Sequence, residues 1–352
     1  MNFAFTEEQG LIRDTVAAFA ADWRAGGGLR RAAQAGGDRA AYLSLAQELG
    51  LAGIAVPEAL GGAGLGAVER ALVMEELGKV CFAGPFFSSA VLATDLLLAV
   101  DDQKILPRLA AGETVASASL DPVSFTQEGD GYRLTGSLRA ITDADCVDTV
   151  LVPAWNGERS ALFAIEANAL SADAVLDVTR PLGKADLDLA VSKDALIAAD
   201  IADALPRALS QSAIALAAES VGVAQTALDM TVAYTKERVQ FGRTIASFQA
   251  VKHRCADMMI ATESARSAVY YAAALAHTGE AAEAAAIAKS WCTQKAFTVT
   301  GDAIQMHGGI GFTWDYDLHF FFKRARANRT LLGLPSDHLE DLASLILDEE
   351  AA

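Results

Sequence analysis

The chain has 352 residues, enough for two or three domains with cores of their own. Hydrophobic residues make up 52% and aromatics only 7%, so the excess lies in alanine, leucine and valine, which favours closely packed helices. With 28 basic and 45 acidic residues the net charge is −17, which excludes nucleic acid and an anionic membrane surface as main partners.

At the start of the chain, residues 1–5 run into the acidic pair Glu7 and Glu8, so no secretory signal reads there. The longest mainly apolar runs, such as 91–100, fall short of the roughly 20 residues a membrane span needs. A soluble, cytoplasmic chain is expected. Cys81, Cys146, Cys255 and Cys292 show no paired metal spacing and are expected as reduced thiols.

Thr6 ahead of Glu7 and Glu8 reads as an N-cap, and Leu11, Ile12, Val16 and Phe19 recur at helical spacing, which predicts a helix over 6–23. A basic, glycine-rich connector is expected over 26–39, then a helix near 40–48 ended by Gly50. Pro57 and the glycines at 61, 62, 64 and 66 predict a loop over 51–66. Helical patterns near 67–78, 88–100 and 103–111 complete an N-terminal helical domain, 1–112.

At Glu113 the periodicity changes. Short segments near 114–120, 131–141, 149–153, 160–166 and 186–191 are mostly rich in β-branched residues and are punctuated by Gly129-Asp130-Gly131 and Asn156-Gly157 turns, which predicts a β domain over 113–200. Over 201–352 apolar residues return at spacings of three and four. Helices are expected near 203–236, 248–276, 280–307, 316–328 and 336–348, four of which could form an up-and-down bundle. Val221-Gly222-Val223-Ala224 offers small residues for close helix packing. The fold class is mainly α with an inserted β domain.

The stretch from Arg238 to Met258 ends one long helical pattern, turns at Gly242 and Arg243, and opens a second pattern near Phe248. A helix end, a glycine turn and a helix start bring backbone donors, arginines and two glutamines to one corner, which suits an anionic or amide-rich ligand.

The order of helical domain, β domain and helical bundle, together with Arg238-Val-Gln-Phe-Gly242, Phe248-Gln-Ala-Val-Lys-His253, Ala256-Asp-Met258 and Gln305-Met-His-Gly-Gly-Ile-Gly-Phe-Thr313, resembles the acyl-CoA dehydrogenase family over essentially the whole chain. The resemblance implies an N-terminal helical domain, a β-barrel-like middle domain and a C-terminal four-helix bundle. It also implies FAD as cofactor, an acyl-CoA thioester as substrate, α,β-desaturation as reaction, and an electron-transfer flavoprotein as acceptor. By resemblance Arg238 reaches the pyrophosphate of a neighbouring subunit's FAD, while Gln240, Phe241, Phe248 and Gln249 line its adenosine end. Gln305, His307, Gly308 and Gly309 close over the phosphates. Arg238 can offer phosphate a fixed fork, and the two glycines let backbone amides approach it. His307 taken alone reads as structural.

Two departures shape the reading. Typical members carry their catalytic base in a Tyr-Glu-Gly type turn, whereas the aligned turn here is Leu331-Leu332-Gly333, and Leu332 cannot take a proton. Members that place the base on the first bundle helix align with Gln211 and Ser212, leaving Glu219, two turns further on, as the candidate for a relocated base. The β domain of the family also holds its own flavin through a Thr-Glu-Pro to Ser-Asp loop and an aromatic-Ile-Thr segment. Here these read Ser119-Leu-Asp-Pro-Val-Ser-Phe125 and Ala140-Ile-Thr142, so the threonine, Thr142, remains and the stacking ring is gone. Residues that serve a neighbour's flavin are intact, and those that serve the chain's own flavin and base are eroded. This pattern points to a half-site subunit of a heteromeric enzyme, of the kind that degrades steroid side chains in bacteria, completed by a sister chain. The alternatives are an active homomer with a relocated base and a flavin-free binding or scaffold module.

Overall fold

The computed structural model describes residues 5–349; residues 1–4, on which part of the signal-peptide reading rests, lie outside it. In chain order the helices and strands are α1 (Glu7–Ala25), α2 (Gly28–Ala35), α3 (Arg39–Gln47), α4 (Ala67–Gly78), α5 (Thr94–Ala99), α6 (Leu106–Ala110), β1 (Ala116–Ala118), β2 (Val123–Glu128), β3 (Gly131–Thr142), β4 (Thr149–Trp155), β5 (Ser160–Glu166), β6 (Ser171–Ala172), β7 (Leu182–Val191), β8 (Leu196–Ala198), α7 (Ala204–Glu237), β9 (Val239–Gln240), β10 (Arg243–Thr244), α8 (Gln249–Leu275), α9 (Ala281–His307), α10 (Leu318–Thr330) and α11 (Pro335–Glu349). The chain divides into two compact units, one of residues 1–29, 67–82 and 213–352, the other of residues 30–66 and 83–212. No helix among the described residues is long and apolar enough to cross a membrane.

The first unit is helical. Thr6 caps α1 as its sequence implies: its hydroxyl accepts from the Gln9 amide while the Gln9 side chain accepts from the Thr6 amide. Helices α4 and α7 approach closely because both present glycine at the contact. A Cβ on Gly222 would collide with the Glu75 carbonyl oxygen, and one on Gly78 with that of Glu219. Gly222→Ala should therefore destabilise the protein by about 1–3 kcal/mol through overpacking, lowering the urea midpoint at unchanged m-value. Helix α8 is tied to α4 by the buried Glu75 carboxylate, which accepts from Arg266 Nε at 3.0 Å and Tyr270 Oη at 2.8 Å. Burial and the neighbouring Glu75 charge push the Tyr270 hydroxyl well above its usual range.

The second unit sets short helices against a sheet. Eight strands pair in the order β6-β7-β3-β2-β4-β5-β8, with β1 also joined in parallel to β4. Phe125, Tyr132 and Phe163 pack ring against ring within it, with centroids 5.2 to 6.1 Å apart. Strand β2 falls where the sequence reads as a contracted loop. Only Val123 and Phe125 turn inward there, an alternation too short to stand out. The supposed connector over 26–39 also contains a helix, α2. Gly27 (φ 79°) and Gly36 (φ 98°) flank it in left-handed conformations, so these glycines bound a helix instead of replacing one. Residues 86–93 form a fully buried π-helix that runs directly into α5, a widening that the apolar sequence alone does not signal.

Candidate functional site

Helix α7 ends at Glu237, and the chain enters a two-residue hairpin in which Gln240 pairs with Arg243 and Val239 with Thr244. Its turn residues, Phe241 (φ 53°) and Gly242 (φ 74°), are both left-handed, as a type I′ turn requires. Glycine takes this conformation freely. Phenylalanine does so at a cost, and strain of this kind concentrates at binding sites. The Phe241 ring is 91% exposed and meets the edge of Phe248, at 6.1 Å, while the Arg243 guanidinium lies 4.0 Å over the Phe248 ring. Gln240, Gln249 and Arg238 are exposed, and among the described residues no carboxylate pairs with Arg238. Helix α8 starts at Gln249 with no side-chain cap from Phe248 and no acid in its first turn, which leaves its N-terminal amides available. With Lys252, His253 and Arg254 following, the corner is a basic island on an acidic chain.

The second glycine motif reaches the same end of the helical unit. Tyr234, one turn before Arg238, stacks on the His307 ring at 4.4 Å, and its hydroxyl lies 3.4 Å from the His307 carbonyl oxygen. His307 is buried: Nδ1 sits 2.8 Å from the Ala303 carbonyl oxygen and Nε2 3.2 Å from the Tyr316 hydroxyl. Burial holds its imidazole below the usual value. The ring is thus a support, with Gly308 (φ 64°) and Gly309 following it exposed, open space where a Cβ would stand. Gln305 is exposed at the end of α9. Tyr234 and Tyr316, which join the two motifs, carried no signal in the sequence, since nothing local shows that rings so distant in the chain share one histidine.

Glu219 requires a correction. Its carboxylate is buried, Oε1 accepting from Arg324 at 2.7 Å and Oε2 from Asn328 at 2.9 Å. Arg324 is itself fully buried and also donates to the Phe82 carbonyl. A carboxylate held by a buried guanidinium and an amide is a structural ion pair, not a base open to substrate. Leu332, in the turn between α10 and α11, is half-buried and left-handed (φ 60°). At the alternative position, Ser212 donates to the buried Asp95 carboxylate at 2.8 Å.

In the sheet unit the residues that would face the chain's own flavin are engaged with one another. The Asp121 carboxylate accepts from the Arg139 amide at 3.0 Å, and the Ser119 hydroxyl bonds the Asp121 amide and carbonyl. Ala140 (φ 52°) sits in a bulge of β3 against β7, where no ring is present to stack. Thr142 is buried, its hydroxyl 3.2 Å from that of Ser117.

A family model described as the acyl-CoA dehydrogenase N-terminal domain matches residues 6–113, and one described as the C-terminal domain matches 203–344. The acyl-CoA dehydrogenase IpdE2 of Mycobacterium tuberculosis is 34% identical over 342 residues, spanning 96% of this chain and 97% of its own length. The chain belongs to the acyl-CoA dehydrogenase family. Its backbone matches a chain of the ChsE4-ChsE5 complex from Mycobacterium tuberculosis with a TM-score of 0.91, 27% identity and coverage of 98% and 99% of the two chains. A chain of the Tcur3481-Tcur3483 steroid ACAD, solved as a variant, matches with a TM-score of 0.88, 28% identity and coverage of 98% and 99%.

Proposed function

We propose that this acyl-CoA dehydrogenase family member is one subunit of a heteromeric, FAD-dependent enzyme that desaturates an acyl-CoA thioester. In this reading it completes the FAD site of a sister subunit, and the sister supplies the base. The observation that carries the reading is the contrast between two faces. The Arg238 corner keeps a guanidinium with no carboxylate partner among the described residues, open helix amides, exposed rings and an unobstructed Gly308-Gly309 approach, all suited to a dinucleotide held by another chain. In the sheet unit Ala140 stands at the stacking position and the loop donors and acceptors are bonded internally, and in the helical unit Leu332 stands at the base position. The likeness to chains of the two-component ChsE4-ChsE5 complex and of a steroid ACAD supports both the heteromer and a bulky, steroid-derived acyl group.

FAD, when bound, would supply the acceptor for the hydride of the β carbon, with an electron-transfer flavoprotein as the onward acceptor of the electrons. This chain's residues would bind and orient it: Arg238 would neutralise the pyrophosphate, Gln240 and Gln249 would hydrogen-bond at the adenosine end, Phe241 and Phe248 would cover it, and the turn after Gln305 and His307 would offer backbone amides to phosphate. Thr142 is retained in the sheet unit, bonded to Ser117.

Co-expression with a candidate sister acyl-CoA dehydrogenase chain tests the assignment. The purified complex should carry FAD, and the chain alone should be colourless. A chain that binds stoichiometric FAD alone and reduces it with acyl-CoA would overturn the half-site reading, and a colourless complex would favour a flavin-free scaffold. Arg238→Ala should weaken FAD in the complex by about 10- to 100-fold, the value of a charge-assisted phosphate contact, as read by flavin retained on gel filtration. Unchanged retention would show the corner to be structural only.

A further inference from the structure

The turn joining α10 to α11 is fixed at every residue. The Leu331 amide donates to the Ala327 carbonyl at 3.0 Å, and the Leu334 amide donates to the Asp337 carboxylate at 2.8 Å. Between them Leu332 and Gly333 are both left-handed, at φ 60° and 93°. For leucine that conformation is strained, and such strain persists where the surroundings over-determine it. Here the constraint comes from two side chains of other segments. His338 Nε2 lies 2.7 Å from the Leu332 carbonyl oxygen, and Lys289 Nζ donates to the Gly333 carbonyl at 3.0 Å.

Lys289 is the unusual member of this set. It comes from the middle of α9 and is 0% exposed, yet its amine meets a single acceptor among the described residues, a neutral carbonyl. An ammonium has three N–H donors and a full charge, so this setting satisfies one donor and leaves the charge without a carboxylate in contact. The charged and titratable groups acting on it are Arg329 from α10, which opposes the charge, and Asp337 from α11 and Cys292 on α9, which favour it. His338 from α11 stands on the same turn and is itself held below its usual value by burial. Arg329 is occupied with the Gln294 side chain at 2.8 Å, and Asp337 with the Leu334 amide, so neither moves to compensate Lys289.

We propose that Lys289 is a proton-controlled clasp on the Leu331 to Leu334 turn, which draws the junction of α10 and α11 onto α9 while its amine is protonated and relaxes when the proton leaves. The protonated amine makes a charge-assisted bond to the Gly333 carbonyl. The neutral amine is a weaker donor, and the strain at Leu332 then works against one fewer strong restraint. Burial and the nearby Arg329 lower the Lys289 value to about 8, so the change falls in mildly alkaline solution. The inference is independent of the flavin assignment, because every group in it belongs to the helical unit of this chain.

Hydrogen exchange of the full chain, followed at several pH values and corrected for the intrinsic base-catalysed rate, tests the clasp. Relative to protection in the middle of α9, protection of the amides around Gly333 and Leu334 should fall by about five- to tenfold between pH 7 and 9.5. Lys289→Arg, which keeps a charge at all these values, and Lys289→Met, which has none, should both remove the pH dependence. Lys289→Gln serves if the arginine is too large to fold. Protection that stays constant in the unaltered chain overturns the proposal, as does the same pH-dependent fall in the methionine or glutamine variant.

Discussion

Replacing Glu219 with alanine should destabilise the protein by about 3–5 kcal/mol, because it removes the carboxylate that the fully buried Arg324 guanidinium pairs with at 2.7 Å. Few single substitutions in this chain should cost more. Arg324 would keep its bond to the Phe82 carbonyl and Asn328 its bond to Ser220, so part of the network survives the change. Urea unfolding reads the effect as a drop in midpoint. The paired replacement of Glu219 by leucine and Arg324 by methionine should be much milder than the sum of the two single changes, since removing both charges also removes both desolvation penalties. Additive single and double effects would show that the pair does not interact as its 2.7 Å geometry implies. The same variants bear on chemistry. Glu219→Gln should leave substrate-induced flavin bleaching in the complex unchanged per folded molecule, because the carboxylate is enclosed. Loss of bleaching with full flavin content would return Glu219 to the role of base.

How far the sequence revealed the fold follows from which signals are local. The long helices were legible because alanine-rich periodicity persists over many turns: α9 begins within one residue of its expected start and ends at His307, and α4 spans the expected 67–78. Strand β5 was legible because Asn156-Gly157 and the segment's own composition bound it. Strands β2, β6 and β8 were not, being too short to establish a period; β6 and β8 rest on pairing with β7 and β5, and β2 on the hairpin it forms with β3. The candidate corner could be named from motif residues, and the hairpin at Gly242 from its glycine. What stayed hidden was the strain at Phe241, whose left-handed backbone is set by the pairing of Val239 with Thr244. Glu219 misled because spacing gives the face of a helix and not what covers it. Arg324, 105 residues further on, is what closes that face. Lys289 was similarly invisible, an ordinary helix residue until tertiary packing deprives it of water.

That burial gives Lys289 a contribution to stability that rises with pH over an alkaline window. The Lys289 amine is lowered from 10.5 to about 8 in the folded chain, mainly by burial and then by Arg329. Below pH 8 the folded and unfolded chains both hold the proton, and the folded one bears the full cost of a buried charge. Between about 8 and 10.5 Lys289 holds its proton in the unfolded chain more than in the folded one, so its contribution to unfolding free energy increases with pH, and above 10.5 the cost is gone. The shift corresponds to about 3 kcal/mol in total. Urea unfolding of the unaltered chain and of Lys289→Met at pH 7, 8.5 and 10 isolates this contribution. The methionine variant also loses the donor to Gly333, a roughly constant cost of about 1–3 kcal/mol, so only the change of the difference with pH is informative. That difference should move in favour of the unaltered chain by about 2–3 kcal/mol from pH 7 to 10, and a difference independent of pH would show that Lys289 keeps its proton through hydration. The global gain and the loosening of the Leu332 turn have opposite signs. Both follow from one fact, that a buried ammonium is costly to hold and strong as a donor.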